Sequence, residues 1–140
     1  MSSNPDVVTG AAASFTGELL RPADAAYEEW RRVHNGAIDR RPAMIARCRG
    51  VADVVDAIRL ARATGLEVSV RGGGHNVAGR AVIDGALMID LSLMKGIHVD
   101  AGARAVRAQG ASCGASSIAR HRSTGSLRPA ASWGAPGSPG

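Results

Sequence analysis

The sequence predicts an α+β fold organised around a strand–helix–strand unit, and three observations carry that reading. Val51, Val54, Val55 and Ile58 fall at i, i+3, i+4 and i+7, the spacing of an apolar helical stripe. On one side lies Ala43-Met44-Ile45-Ala46-Arg47-Cys48, and on the other Leu66, Val68 and Val70 alternate; both have strand character. The second strand then runs into Arg71-Gly72-Gly73-Gly74-His75-Asn76, three glycines followed by a histidine and an asparagine.

Taken in order, residues 1–20 are expected to be a loose N-terminus, small and polar at first and without periodicity. Pro22 to Val33 reads as a helix, with Pro22 in its first turn and Ala26, Tyr27 and Trp30 as its apolar stripe. His34-Asn35-Gly36 stops it, and His34 is expected to cap or sit on the surface. After Gly50 comes the helix described above, with Asp53, Asp56 and Arg62 expected on its other faces and Gly65 ending it. Parallel strands joined by a crossover helix bind ligands beyond their carboxyl ends, which is where the glycine triplet falls. Asp84-Gly85 marks a turn before the strand Leu87-Met88-Ile89-Asp90-Leu91, where Met88, like Met94 after it, reads as core filler. Ile97-His98-Val99 and Ala105-Val106-Arg107-Ala108 form a hairpin across Asp100-Ala101-Gly102, with His98 outward.

The glycine triplet has two readings. Glycines let a backbone take positive φ and converge its N–H groups on one point, which makes a phosphate or diphosphate cradle. His75 then sits where the bound group lies. The competing reading is a flexible glycine turn with an exposed histidine. The spacing is not that of the dinucleotide-binding fingerprint, and no helix is predicted to open after the loop.

Composition narrows the function. No apolar run reaches membrane-span length, no secretory signal pattern opens the chain, and a cytoplasmic protein is expected. Cys48 and Cys113 fit no metal-ligand spacing, so free thiols and no metal site are expected. The net charge of +5 raises the question of nucleic acid. Residues 1–110 hold fourteen basic and twelve acidic side chains, whereas 111–140 hold Arg120, Arg122 and Arg128 and no acid. That tail has no lysine and a single aromatic, Trp133, so nucleic-acid binding is not expected. A non-enzymatic basic binding module using the arginine-rich tail is the alternative function.

Between Phe15 and Gly110 the chain resembles the flavin-binding half of FAD-linked oxidases of the vanillyl-alcohol-oxidase type, the PCMH-type superfamily. Within it, the branch is that of berberine bridge enzyme and the bacterial hydroxynicotine oxidases. The residues that carry the resemblance are Asn35-Gly36, Asp39-Arg40-Arg41-Pro42-Ala43, Asp53-Val54, Ala61-Arg62, Gly65-Leu66, Arg71 to Asn76, Gly79, Asp84-Gly85 and Ile89 to Met94. The resemblance implies a PCMH-type FAD-binding domain over 21–110, containing the N-terminal lobe and the start of a second. It implies a flavin-dependent oxidoreductase whose FAD pyrophosphate lies on Gly72 to Gly74, with Arg71, Asn76 and Gly79 in the same site. It further implies that His75 bonds covalently to the flavin 8-methyl carbon. Some relatives add a second bond from a later cysteine; in a frame-restored protein a single bond, from His75, is expected. The family's catalytic base and its small-molecule substrate pocket belong to a domain with no counterpart in this chain. No catalytic residue is therefore assigned, and negligible turnover and poor solubility are expected of the 140-residue chain.

From Ala111 the character changes to Ser, Gly, Ala, Pro and Arg, an aberrant low-complexity tail. Reading across codon boundaries, with GC-rich codons, turns Ser117 to Arg122 into Asp-Arg-Ala-Thr-Gln-Val, and Pro129 to Gly140 into a glycine-rich string resembling the family's next segment. A slip of reading frame near Ala111 or Ser112 is the expectation, in which Cys113 and Trp133 have no evolved role.

Overall fold

The computed structural model describes residues 14–112. The expectations for the tail beyond Ser112, including Cys113 and the basic-module alternative, lie outside the described residues. Two compact units divide at Met94 and Lys95.

The first unit holds strands β1 (Glu18–Leu20), β2 (Met44–Arg47), β3 (Val68–Arg71) and β4 (Leu87–Asp90), with helices α1 (Tyr27–Trp30) and α2 (Val51–Thr64). The sheet order is β1-β2-β4-β3; β1 is antiparallel to β2, while β2, β4 and β3 run parallel. The strand–helix–strand unit is therefore present, but its two strands are not neighbours. The later strand β4 inserts between them and is buried along its whole length. An apolar Leu-Met-Ile run suits that central position, where both sheet faces are covered.

Alternation in β2 and β4 feeds two cores. Ala46, Cys48, Leu87 and Ile89 pack with Ala57, Leu60 and Ala61 of α2 and with Met94. Ile45 and Met88 point to the other face and meet Tyr27, Val33, Ala81 and Val82. Met88 and Met94 are core residues, as expected.

Several expectations are corrected. Residues 18–20, placed in the loose N-terminus by sequence, form β1. The helix expected over 22–33 is one turn, 27–30. A turn precedes it, in which the Arg21 N–H donates to Asp24 Oδ2 at 2.6 Å and the Asp24 N–H to the Arg21 carbonyl at 2.9 Å. Side-chain capture of a nearby backbone N–H is how aspartate competes with helix. Helix α2 spans the expected residues, with Gly65 closing it, but presents a different face. Val51 is 70 % exposed and Val55 and Ile58 are 40 % exposed, while Asp53, Asp56, Ala57, Leu60 and Ala61 are buried.

The cause lies in the aspartates' partners. Asp53 accepts from the Thr16 N–H at 2.8 Å, the Thr16 hydroxyl at 3.0 Å and the Arg49 N–H at 2.8 Å. Burial alone would raise its pKa, but these hydrogen bonds from Arg49 and Thr16 outweigh burial and hold the carboxyl below its ordinary range. Asp56 accepts from the Ser14 hydroxyl at 2.7 Å. The two carboxylates thus tie the segment before β1 to α2. In β3, likewise, Ser69 is buried and Val68 and Val70 are exposed. Large apolar side chains on α2 and β3 are thus open to water.

The second unit contains the expected hairpin, β5 (Ile97–Asp100) and β6 (Ala105–Ala108), paired antiparallel. His98 is exposed, as expected. No helix among the described residues is long and apolar enough to cross a membrane.

Candidate functional site

The parallel strands β2, β4 and β3 end in one cross-strand row: Arg47 opposite Asp90, and Asp90 opposite Arg71. The glycine loop leaves the sheet there, and no helix or strand follows until β4. The loop is nevertheless held by three hydrogen bonds to the segment 30–35. The His34 N–H donates to the Gly74 carbonyl at 3.0 Å. Asn35 Nδ2 donates to the Val77 carbonyl at 3.2 Å. Arg71 Nη1 donates to the Trp30 carbonyl at 2.6 Å, tying the base of the loop to α1.

The glycines differ in what they supply. In the triplet, Gly74 is the residue at positive φ, +75°, and Arg71 Nε lies 3.3 Å from where a Cβ would stand. At Gly73 the constraint is steric, because a Cβ there would lie 2.9 Å from the His75 ring. Gly79 combines both, with φ +69° and the Ile38 side chain 2.6 Å from a Cβ. Asn76 shapes the return: its side-chain oxygen accepts from the Arg80 N–H at 3.1 Å, and its carbonyl from the Gly79 N–H at 3.2 Å.

The N–H groups of residues 72–76 donate to no protein acceptor among the described residues. Gly73, His75 and Asn76 are exposed. A run of unpaired amides on a bent loop at the carboxyl ends of parallel strands offers donors that an anion can accept. The donor set fits the diphosphate of FAD. His75 stands next to it, its ring centroid 5.0 Å from that of His34 and tilted by 56°. A hollow of about 270 Å³ is lined by Arg31, Arg32, Val33, Gly36, Ile38 and Asp39 but by none of the loop residues, so it is no part of this donor set.

Of the seven residues singled out by sequence, Gly72 to Asn76 and Gly79 lie on this one loop, and Arg71 ends the strand that leads into it. Arg71 differs from the rest, since its guanidinium points beneath the loop toward Trp30 and Asp90. Sequence reading missed Trp30, Asn35 and Asp90 as supports; a lone acid in the apolar run Leu87 to Leu91 was the available signal. Cys48 is fully buried, and burial, with Asp53 and Asp90 nearby, pushes its thiol up to about 12. Among the described residues no group of three or more His, Cys, Asp or Glu could hold a metal.

Comparison with known proteins agrees with this geometry. The family profile described as FAD binding domain matches residues 42–127, a span that runs past Ala111 into the tail. The chain is 44% identical over 93 residues to (R)-6-hydroxynicotine oxidase of Paenarthrobacter nicotinovorans, covering 66% of this chain and 20% of that protein. It superimposes on crystalline 6-hydroxy-D-nicotine oxidase from Arthrobacter nicotinovorans with a TM-score of 0.75 and 36% identity, over 80% of this chain and 25% of that one. Glucooligosaccharide oxidase from Acremonium strictum gives a TM-score of 0.66 and 25% identity, over 79% of this chain and 22% of that one. The chain thus spans about a fifth of the length of the curated relative it matches. Profile, relatives and fold agree on one conclusion: the chain belongs to the FAD-binding domain family of the FAD-linked oxidoreductases and is similar to the hydroxynicotine oxidases.

Proposed function

We propose that residues 72–74 hold the diphosphate of FAD through their backbone N–H groups and that His75 is the covalent anchor of the flavin. The observation that carries this reading is the run of unpaired amides at residues 72–76, bent at Gly74 and ending beside an exposed imidazole. Asn76 and Gly79 set the return of the loop, and Arg71 braces its base. When bound, FAD supplies the two-electron redox chemistry of an oxidoreductase. The protein's part here is to bind the diphosphate and to present a ring nitrogen of His75.

The glucooligosaccharide oxidase relative carries a 6-S-cysteinyl, 8α-N1-histidyl FAD. In this chain we assign one bond only. Cys48 is buried in the α2-side core with a thiol too weakly acidic to supply thiolate. The intact oxidase would act on a small-molecule substrate. The 140-residue chain is proposed to bind the cofactor without turning over substrate, and a frame slip near Ala111 is proposed from the change of composition that begins there.

The test is acid precipitation after incubation with FAD. Wild-type chain and Cys48→Ala should keep yellow colour in the pellet, and His75→Ala should release all flavin to the supernatant. Flavin retained by the His75→Ala pellet would contradict the assignment.

A further inference from the structure

We infer that Asp90 is a positioning residue of the glycine loop, acting through Arg71. This rests on the reading that the loop holds the FAD diphosphate.

The register places Asp90 at the end of the central strand with Arg47 beside it on one neighbour and Arg71 on the other. Asp90 is fully buried. One carboxylate oxygen accepts from the Ser92 N–H at 2.8 Å, which fixes the turn after β4. The other faces both arginines, 3.6 Å from Arg47 Nε and 3.9 Å from Arg71 Nη1, and accepts no hydrogen bond. It is therefore a charge held between two charges.

Each arginine is committed on its far side. Arg47 lies with its guanidinium carbon 3.4 Å from the centroid of the Trp30 ring and donates to Glu18 at 2.5 Å. Arg71 donates to the Trp30 carbonyl, and its Nε, Cζ and Nη2 all lie within 4 Å of the Cβ position of Gly74. The guanidinium is the floor on which the left-handed turn at Gly74 rests. Without the carboxylate, a buried and a half-buried guanidinium would face each other with little water between them. Arg71 is the more exposed of the two and is the one with room to swing out, giving up its bond to the Trp30 carbonyl. The loop would lose its floor, and its amides their convergence.

The experiment uses the whole chain and two readouts. Amide hydrogen exchange at His34 and Gly79, whose N–H groups donate to the loop carbonyls of Gly74 and Asn76, is measured without cofactor, and affinity for FAD and for ADP, a diphosphate probe that lacks the flavin, is measured by calorimetry. Asp90→Asn keeps the acceptor for Ser92 and removes the charge. It should speed loop exchange at least about tenfold and weaken FAD and ADP by about 10–100-fold, the range typical of lost outer-shell support. In an Arg71→Met background, the same Asp90→Asn change should add little to either readout, because its route is already cut. A purely structural role would weaken binding equally in both backgrounds and would overturn the inference. Should Asp90→Asn fail to fold, Arg71→Lys decides. Lysine keeps the charge opposite Asp90 but has no planar fork to lie beneath Gly74, so the loop should loosen; unchanged exchange in that variant overturns the proposal. If FAD protects no loop amide of the wild-type chain, the diphosphate reading fails instead, and the cofactor-free exchange still judges Asp90.

Discussion

Gly74→Val should abolish useful FAD binding while leaving the sheet intact. Gly74 adopts φ +75°, a region that costs an L-residue about 1–2 kcal/mol and a β-branched one more. The added Cβ would also press on Arg71 Nε at 3.3 Å, so relief requires either the loop or its floor to move. A displacement of about 1 Å among converging donors is enough to cost about 100-fold in a positioned interaction. Affinity for FAD should therefore fall about 100-fold or more, measured by calorimetry, with circular dichroism unchanged. Gly50→Ala is the control, because a Cβ there meets nothing within 4 Å and φ is extended; its affinity should equal wild type. Equal affinity in Gly74→Val would mean that the turn does not shape the site.

The second large effect belongs to Tyr27→Ala. Tyr27 is fully buried in the core on the α1 face, and its hydroxyl donates to the Pro42 carbonyl at 2.6 Å. Burial, opposed by the charges of Arg41 and Arg31, raises its pKa, so the hydroxyl stays protonated as a donor. Truncating a buried aromatic costs about 3–5 kcal/mol. That is a large share of the roughly 5–15 kcal/mol that stabilises a typical domain. A four-residue helix has too little backbone pairing to hold itself in place without this anchor. Its loss also frees Trp30, the acceptor for Arg71, so the loop should loosen along with the core. The expected result is a thermal midpoint lowered by about 10 °C or more, or no cooperative transition. Tyr27→Phe, which leaves only the Pro42 carbonyl unsatisfied, should cost about 1–3 kcal/mol. A midpoint within a degree or two of wild type in Tyr27→Ala would remove α1 from the account of the site.

The sequence made the loop legible because glycine chemistry is local. Three glycines and a histidine after an alternating strand carry their meaning in nine consecutive residues, 68–76. The helix over 51–64 was legible for the same reason, since periodicity and a terminal glycine are local signals. Which side of it is buried was not. Four apolar residues at helical spacing marked a stripe, but Asp53 and Asp56 are drawn inward by Thr16 and Ser14, partners 37 and 42 residues away. Strand order was equally out of reach. The insertion of β4 between β2 and β3 is decided by long-range pairing, and it alone creates the Arg47–Asp90–Arg71 row. Strand β1, three residues long, offers too short a pattern to separate from loop. The candidate loop was thus written in one stretch, and the layer beneath it was distributed over β2, β4 and α1.

The most direct test of the account is a titration of ¹⁵N-labelled chain with FAD, followed by amide resonances and hydrogen exchange. The account predicts that the amides of residues 72–76 shift and become protected together at the concentration at which flavin fluorescence reports binding. ADP should reproduce the shifts at residues 72–74, where the diphosphate lies. Binding of FAD that leaves those amides unmoved and unprotected, with changes confined to other segments, would contradict it.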